Sequence, residues 1–420
     1  MIPFLIAALK IIFILGFLVF IHEGGHFLVA KLCKIKVNEF AIGFGPTIWK
    51  KQGKETKYAL RLIPLGGFVS MEGEEERSEK EGSFSKASIP KRIAVVAAGG
   101  LVNIIFALLV YFVLISFTGN NVSNYVDSVI PDTNAEQVGL MSGDKILKVN
   151  GKTIFYKANL DEVLQGCNGE TLEVVVERNE EEKTLRLEPM EEKYNYTGIA
   201  ISSAGELNTE VAAIYPNSPA DVQGLKTKDI ILSVNGVEVQ DDAQKLVSEI
   251  NQNIGQMLQF TIERNGEIID LSITPEVCAN YYLGVYLKLA ENSFGNNVYY
   301  AFFETGEFAF SIVDNLKLLF TGNVSIDQMM GPVGIGEVVA QTNGFADFIY
   351  ILALVSISLG FTNLLPFPPL DGGKIVILLI EAIRRKPMKQ QTELTIQMIG
   401  FMFLIGLSII VTYNDVLRVF

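Results

Sequence analysis

Four long apolar runs dominate this chain, over residues 3–29, 93–117, 345–366 and 393–412. Each approaches or exceeds the ~20 residues that carry a helix across a ~30 Å hydrocarbon core. Nothing in that core can satisfy an open backbone N–H or C=O, so each run is expected to be a helix that bonds its own backbone. The 49% apolar fraction beside 19% charge agrees with a polytopic α-helical membrane protein with four transmembrane helices. The first run sits where a secretory signal peptide would. However, Lys10 lies inside it rather than ahead of it, and no small-residue cleavage site follows, so the segment reads as retained.

Charge sets the expected orientation. Residues 31–92 hold 13 Lys/Arg against 8 Asp/Glu, and residues 374–392 hold 5 against 1. Residues 119–291 reverse the balance, with 13 basic against 28 acidic. Basic residues near membrane ends favour the cytoplasm. This puts 31–92 and 374–392 inside, and the acidic middle with both termini outside, in a multi-pass membrane protein. The net charge of −13 offers no basic patch, so nucleic acid is not an expected partner; the lipid bilayer is. The three cysteines, Cys33, Cys167 and Cys278, have no metal spacing; Cys167 and Cys278 could meet outside, but their separate domains favour free thiols.

The acidic middle carries a degenerate repeat over residues 127–190 and 209–275. NAEQVGLMSGDKILKVNGKTI in the first answers to SPADVQGLKTKDIILSVNGVEV in the second. Each has an Asn-Gly turn between apolar strands, and each ends in an alternating strand, LEVVVER or LQFTIER. Two small β-rich domains are expected, and they resemble PDZ domains, which bind extended peptides by adding a strand. Filtering of substrates and recruitment of peptide tails both remain open as their role. Residues 298–320 are apolar but place Glu304, Glu307, Ser311 and Asp314 at helical spacing, which predicts an amphipathic helix on the membrane surface. In KYALRLIPLGGFVSMEGE, residues 57–74, an alternating run is broken by Gly66-Gly67 and predicts a short β segment associated with the membrane.

HEGGH occupies 22–26, and these are the chain's two histidines. One helical turn apart, His22 and His26 share a face and can reach one zinc ion, with Glu23 beside them as general base. Ionisable groups inside a span are costly, which favours function over anchoring. Lys10, near the outer end of the same span, reads as a snorkelling cation. Zinc needs a third protein ligand and an open position. Asp371, in NLLPFPPLDGG at the inner end of the third run, stands out: three prolines preclude regular helix there, and irregular backbone at that depth implies a lined cavity. With four spans Asp371 reaches the depth of the histidines. A fifth span over 298–320 would send it to the opposite face.

HEGGHF, GFGP (43–46), IPLGGFVSMEGE (63–74), GPVGI (331–335) and NLLPFPPLDGG stand in the order found in the site-2 protease family. Over essentially its whole length the chain resembles that family's bacterial RseP-type branch, intramembrane zinc metalloproteases with two PDZ domains. The resemblance implies one Zn2+ per chain held by His22, His26 and Asp371, with Glu23 catalytic. It implies a substrate-contacting Asn363, whose alternative reading is a helix cap. It also implies that residues 57–74, with Leu65, Gly66, Gly67 and Phe68, pair with an unwound substrate. The substrates implied are single-span membrane proteins or peptides, of the anti-sigma factor or remnant signal peptide type, cleaved near the cytoplasmic face. Gly100 stands where the family usually has proline, which raises a question of local flexibility.

The expected organisation is an N-terminal membrane part (1–118), two extracytoplasmic PDZ-like domains (119–200 and 201–291), a surface helix with the GPVGI connector (292–344) and a C-terminal membrane part (345–420). A catalytically silent membrane scaffold bearing PDZ domains would need neither HExxH nor the aspartate. A zinc transporter would show more polar groups along its spans.

Overall fold

A computed structural model of the chain describes residues 2–74, 76–119, 121–201, 209–215, 217–321, 331–340, 342 and 344–419. These residues form two compact units, one of residues 1–119 with 291–420 and one of residues 120–290.

The first apolar run becomes α1 (Ile2–Leu32), followed by strands β1 (Val37–Gln52) and β2 (Lys57–Met71) and by α2 (Ile89–Thr118). Pro90 sits in the first turn of α2, where its missing N–H costs no hydrogen bond, and Gly119 closes the helix at φ 62 by donating to Ile115 O. The sequence predicted a strand broken at Gly66-Gly67. Instead β2 runs on to Met71, because β1, which the sequence reading missed, supplies a partner. Gly66 lets the strand pass at φ 123, and a Cβ there would lie 2.0 Å from the Phe44 ring. Phe40 is paired with both Tyr58 and Val69, so the start of β1 lies between two stretches of β2. The outer edge of residues 67–71 has no strand beside it among the described residues.

The second unit begins with β3 (Val122–Val129), α3 (Asn134–Gln137), β4 (Lys145–Val149), β5 (Lys152–Thr153), α4 (Lys157–Gln165), β6 (Leu172–Arg178) and β7 (Glu181–Leu187). It continues through β8 (Met190–Tyr196), β9 (Ile199–Ile201), β10 (Val211–Ile214), α5 (Pro219–Val222), β11 (Ile230–Val234), β12 (Val237–Glu238) and α6 (Ala243–Asn251). It ends with β13 (Leu258–Arg264), β14 (Glu267–Ile273), β15 (Glu276–Tyr282) and β16 (Val285–Leu289).

The two repeats share their internal chemistry. Asn150-Gly151 and Asn235-Gly236 turn their hairpins with positive φ at both residues, as a type I′ turn requires. Arg178 grips the buried Asp144 with two bonds of 2.6 Å and donates to Gly139 O; Arg264 does the same to Asp229 and Gly224 O. The repeats are also interleaved. β8 pairs with β15, and β16 adds to the first sheet in the order β16-β3-β4-β6-β7. Residues 285–289, which the sequence grouped with the second domain, are thus hydrogen-bonded into the first. Local pattern does not reveal this, because Val285 and Leu287 alternate equally well for either sheet, and only the first core receives them.

The chain returns to the first unit as α7 (Phe294–Phe320), α8 (Pro332–Ala340), α9 (Phe345–Asn363), α10 (Asp371–Arg384) and α11 (Gln390–Val419). Among the described residues, four helices are long and apolar enough to cross a membrane: Ala8–Leu32, Ile89–Thr118, Phe345–Asn363 and Gln390–Val416. α7 is not among them; it packs against α2 and α9 and buries Ala301, Thr305 and Ala309. The GPVGI segment, expected as a connector, opens the helix α8, which packs on α1 and α11. Buried Asp415 of α11 accepts from the Gly331 and Gly334 N–H groups at 3.2 and 2.8 Å, satisfying donors that the first turn of α8 leaves open. Lys10 does more than snorkel: its ammonium donates to the carbonyl and hydroxyl of Thr342, both at 2.9 Å.

Small residues draw the helices together. A Cβ on Gly25 would meet Ala98 O at 2.6 Å, and one on Gly100 would meet Gly360 O at 2.7 Å. Helices in a membrane gain most of their association from such close packing. Gly100 therefore serves the contact between α2 and α9.

Candidate metal centre

One turn of α1 presents His22 and His26 on its inner face, both buried, against α2. The first residue of α10 meets them, after a non-helical segment that the prolines enforce. The Oδ2 atom of Asp371 lies 3.3 Å from Nε2 of His22 and 3.3 Å from Nε2 of His26, and the two Nε2 atoms are 3.2 Å apart. Among the described residues this is the group of His, Cys, Asp and Glu that can hold a metal ion.

Three observations test the fit of an ion here. Bonds of ~2.0–2.1 Å in a tetrahedral site put neighbouring ligand atoms about 3.3 Å apart, the edge lengths of this triangle. His26 places Nδ1 2.8 Å from Val95 O; a carbonyl can only accept, so Nδ1 carries the proton and Nε2 is left free to ligate. Asp371 Oδ2 is buried with no hydrogen-bond partner, which is costly unless something positive meets it. The residues fit the ion.

Gly99 of α2 makes the room. A Cβ there would stand 2.3 Å from Nε2 of His26 and 2.8 Å from Nε2 of His22. Asn103, one turn on and fully buried, brings its amide to 3.5 Å from Nδ1 of His22.

A cavity of about 210 Å3 opens on this triangle, lined also by Glu23, Phe68, Val69, Met71, Glu74, Val96 and Lys374. Glu23 lines it from α1, and Phe68, Val69 and Met71 of β2 line it beside Glu23. Of the residues expected to contact substrate, Phe68 lines the cavity. Gly67 lies under Glu23, where a Cβ would be 3.1 Å from its Cγ. Gly66 shapes the strand, and the side chain of Leu65 lies outside the described residues. Asn363 closes α9, half-buried, and does not line the cavity.

The sequence reading missed Gly99, Asn103, Glu74 and Lys374. Asn103 had a signal, being a polar residue inside an apolar span.

Residues 10–407 match the family description "Peptidase family M50". The chain belongs to peptidase family M50. Like its relatives in that family, this M50 peptidase is a zinc metalloendopeptidase of the membrane. It is 31% identical over 96% of both chains to a protein of Haemophilus influenzae named "Regulator of sigma E protease". To the "Zinc metalloprotease RasP" of Shouchella clausii it is 32% identical, over 98% of this chain and 99% of that one. Among solved structures, the PDZ domain of HtrA3 bound to a phage-derived ligand is 24% identical, covering 22% of this chain and 93% of its own, at a TM-score of 0.19. A serine endoprotease from Yersinia pestis is also 24% identical, covering 20% of this chain and 30% of its own, at a TM-score of 0.18.

Proposed function

We propose that His22, His26 and Asp371 hold one zinc ion per chain, and that Glu23 moves the proton in hydrolysis of a peptide bond within a transmembrane segment. The triangle of ligand atoms, in one cavity with Glu23, carries this reading. When bound there, zinc supplies Lewis acidity, which makes water acidic enough to attack near neutral pH and polarises a carbonyl.

The chain's own residues do the rest. A peptide bond in a helix is held by its own hydrogen bonds, so the substrate must unwind before it can be attacked. The outer edge of residues 67–71 offers an unwound segment backbone partners, as in other strand additions, and lays it beside Glu23. Glu23 takes a proton from the attacking water and returns it to the departing amine. Phe68 and Val69 exclude water from the same wall. Asn363, half-buried at the end of α9, assists only if substrate binding brings it to the cavity.

The bacterial relatives support an inner or plasma membrane location, and the charge pattern supports an orientation with the centre near the cytoplasmic face and both termini and the PDZ-like repeats outside. A single-span protein or peptide already trimmed outside fits as substrate. The name of the Haemophilus relative favours one that controls a sigma factor. The PDZ-like repeats would act on such a peptide as filter or as recruiter.

Glu23→Gln tests the central role. It should abolish cleavage of a membrane-inserted substrate while metal analysis still finds zinc, and continued cleavage would remove Glu23 from the mechanism.

A further inference from the structure

We propose that Glu74, Lys374 and Glu393 form a charge-selective subsite beside the metal centre, which takes a basic side chain of the substrate next to the scissile bond. The proposal rests on the reading of the cleft given above.

A second cavity, of about 260 Å3, adjoins the first and shares Phe68, Val69, Glu74 and Lys374 with it. It follows the open edge of β2 to Ser70, and its far wall is the start of α11. Gln390, Glu393 and Gln397 lie there on one helical face. The boundary between the cavities is an ion pair. Lys374, one turn after Asp371 on α10, donates to Glu74 Oε1 at 2.6 Å, and its ammonium lies 5.0 Å from the centre of the Phe84 ring. Both partners are four-fifths buried, with side-chain exposures of 19% each, so substrate passing along the edge meets them closely.

A strand laid on residues 67–71 advances ~3.3 Å per residue, and alternate side chains face the same wall. A side chain two or four residues from the bond beside Glu23, or three if the register is the other one, therefore arrives in the second cavity. It finds two carboxylates against one ammonium, and Glu393 has no ion pair among the described residues. An incoming Lys or Arg gains Glu393 and can share Glu74. An incoming Asp or Glu faces Glu393 and must displace Glu74 from Lys374. Single-span proteins carry their basic flank on the cytoplasmic side, the side assigned above to residues 374–392. The cleft thereby reads the flank that marks the inner end of a transmembrane segment.

The test uses the full-length enzyme and one single-span substrate. Lys, Gln or Glu is placed in turn at positions two to four on the cytoplasmic side of the cleaved bond, and kcat/KM is measured for each. Lys should exceed Glu by about tenfold at one or more of these positions. A ratio within twofold of one at all of them overturns the proposal. In Glu393→Lys, the Lys-to-Glu ratio should fall below one with zinc content as in the unmodified enzyme; an unchanged ratio overturns the proposal. In Lys374→Ala the ratio should rise, because both carboxylates are then free for a basic side chain. If Glu393→Lys does not fold, the substrate series on the unmodified enzyme decides alone. Cleavage that persists in Glu23→Gln would instead strike the underlying reading of the metal centre, which the ratios do not test.

Discussion

Adding one methyl group to Gly99 should empty the metal centre without unfolding the helix that carries it. The added Cβ would stand 2.3 Å from Nε2 of His26 and 2.8 Å from Nε2 of His22, whereas carbon packs comfortably at about 3.5 Å. It is therefore ~1 Å too close to a ligating atom. Neither side can yield freely. The other nitrogen of the His26 ring is bound to Val95 O, and α1 already touches α2 at Gly25, where a Cβ would meet Ala98 O at 2.6 Å. A ligand displaced by ~1 Å should cost about 100-fold in zinc affinity and at least as much in cleavage. Alanine is the better helix former by about 1 kcal/mol, so α2 itself is not weakened. Zinc is measured in the purified full-length protein after titration with a chelator, alongside its thermal unfolding. Gly24→Ala is the control, since nothing lies within 4 Å of its Cβ; it should keep zinc and activity. Should Gly99→Ala retain zinc at the same chelator midpoint as the unmodified protein, the geometry of the centre is wrong.

Asp371→Ala should reduce zinc content sharply, by metal analysis, because it removes one corner of the triangle; full occupancy would point to another ligand. Gly360→Ala places a Cβ 2.6 Å from Gly100 O and should lower the thermal stability of the membrane unit by about 1–3 kcal/mol, read from chemical or thermal unfolding in detergent. Arg178→Ala strands Asp144, whose side chain is 1% exposed, and should cost the first β domain about 3 kcal/mol, read as faster hydrogen exchange in residues 122–187. That difference should depend on pH. Burial pushes the Asp144 carboxyl up, but the bonds from Arg178 and the Met141 N–H outweigh it and hold the group below its ordinary 3.8. A depressed carboxyl stabilises the fold fully above its unfolded value and loses that contribution as pH falls through the folded one. The gap between Arg178→Ala and the unmodified protein should therefore narrow as pH drops below 3.8.

The metal centre was largely legible because its chemistry is scarce in this chain. Two histidines one turn apart can do little else inside a membrane, and Asp371 was marked by the proline-broken segment that carries it and by its depth. The groups that shape the centre were less visible. Gly99 sits in an AAGGL stretch of a kind common to apolar helices, and its meaning emerges only when α1 crosses at that point. The Asn-Gly turns announced both hairpins of the repeats, since positive φ at two successive residues restricts sequence strongly. Strand β1 left a weaker mark, because its pairing with β2 is irregular and glycines interrupt its pattern. α8 opens on glycine and proline, which locally suggest a turn; the cap from Asp415, far along the chain, makes its helix possible.

The interleaving of the two repeats also bears on synthesis. Strand β16 leaves the ribosome after every strand of the second domain, so the first domain waits with the outer edge of β3 bare, open to pairing with another chain. The second domain behaves as a cassette within the first. Tyr196 and Glu276 face each other across the β8–β15 ribbon, so a short turn joining them would lift the cassette out and leave β16 to close the sheet. A deletion carried on to residue 291 would take that closing strand with it, and any lost activity would then report an unfinished first domain rather than an absent second one.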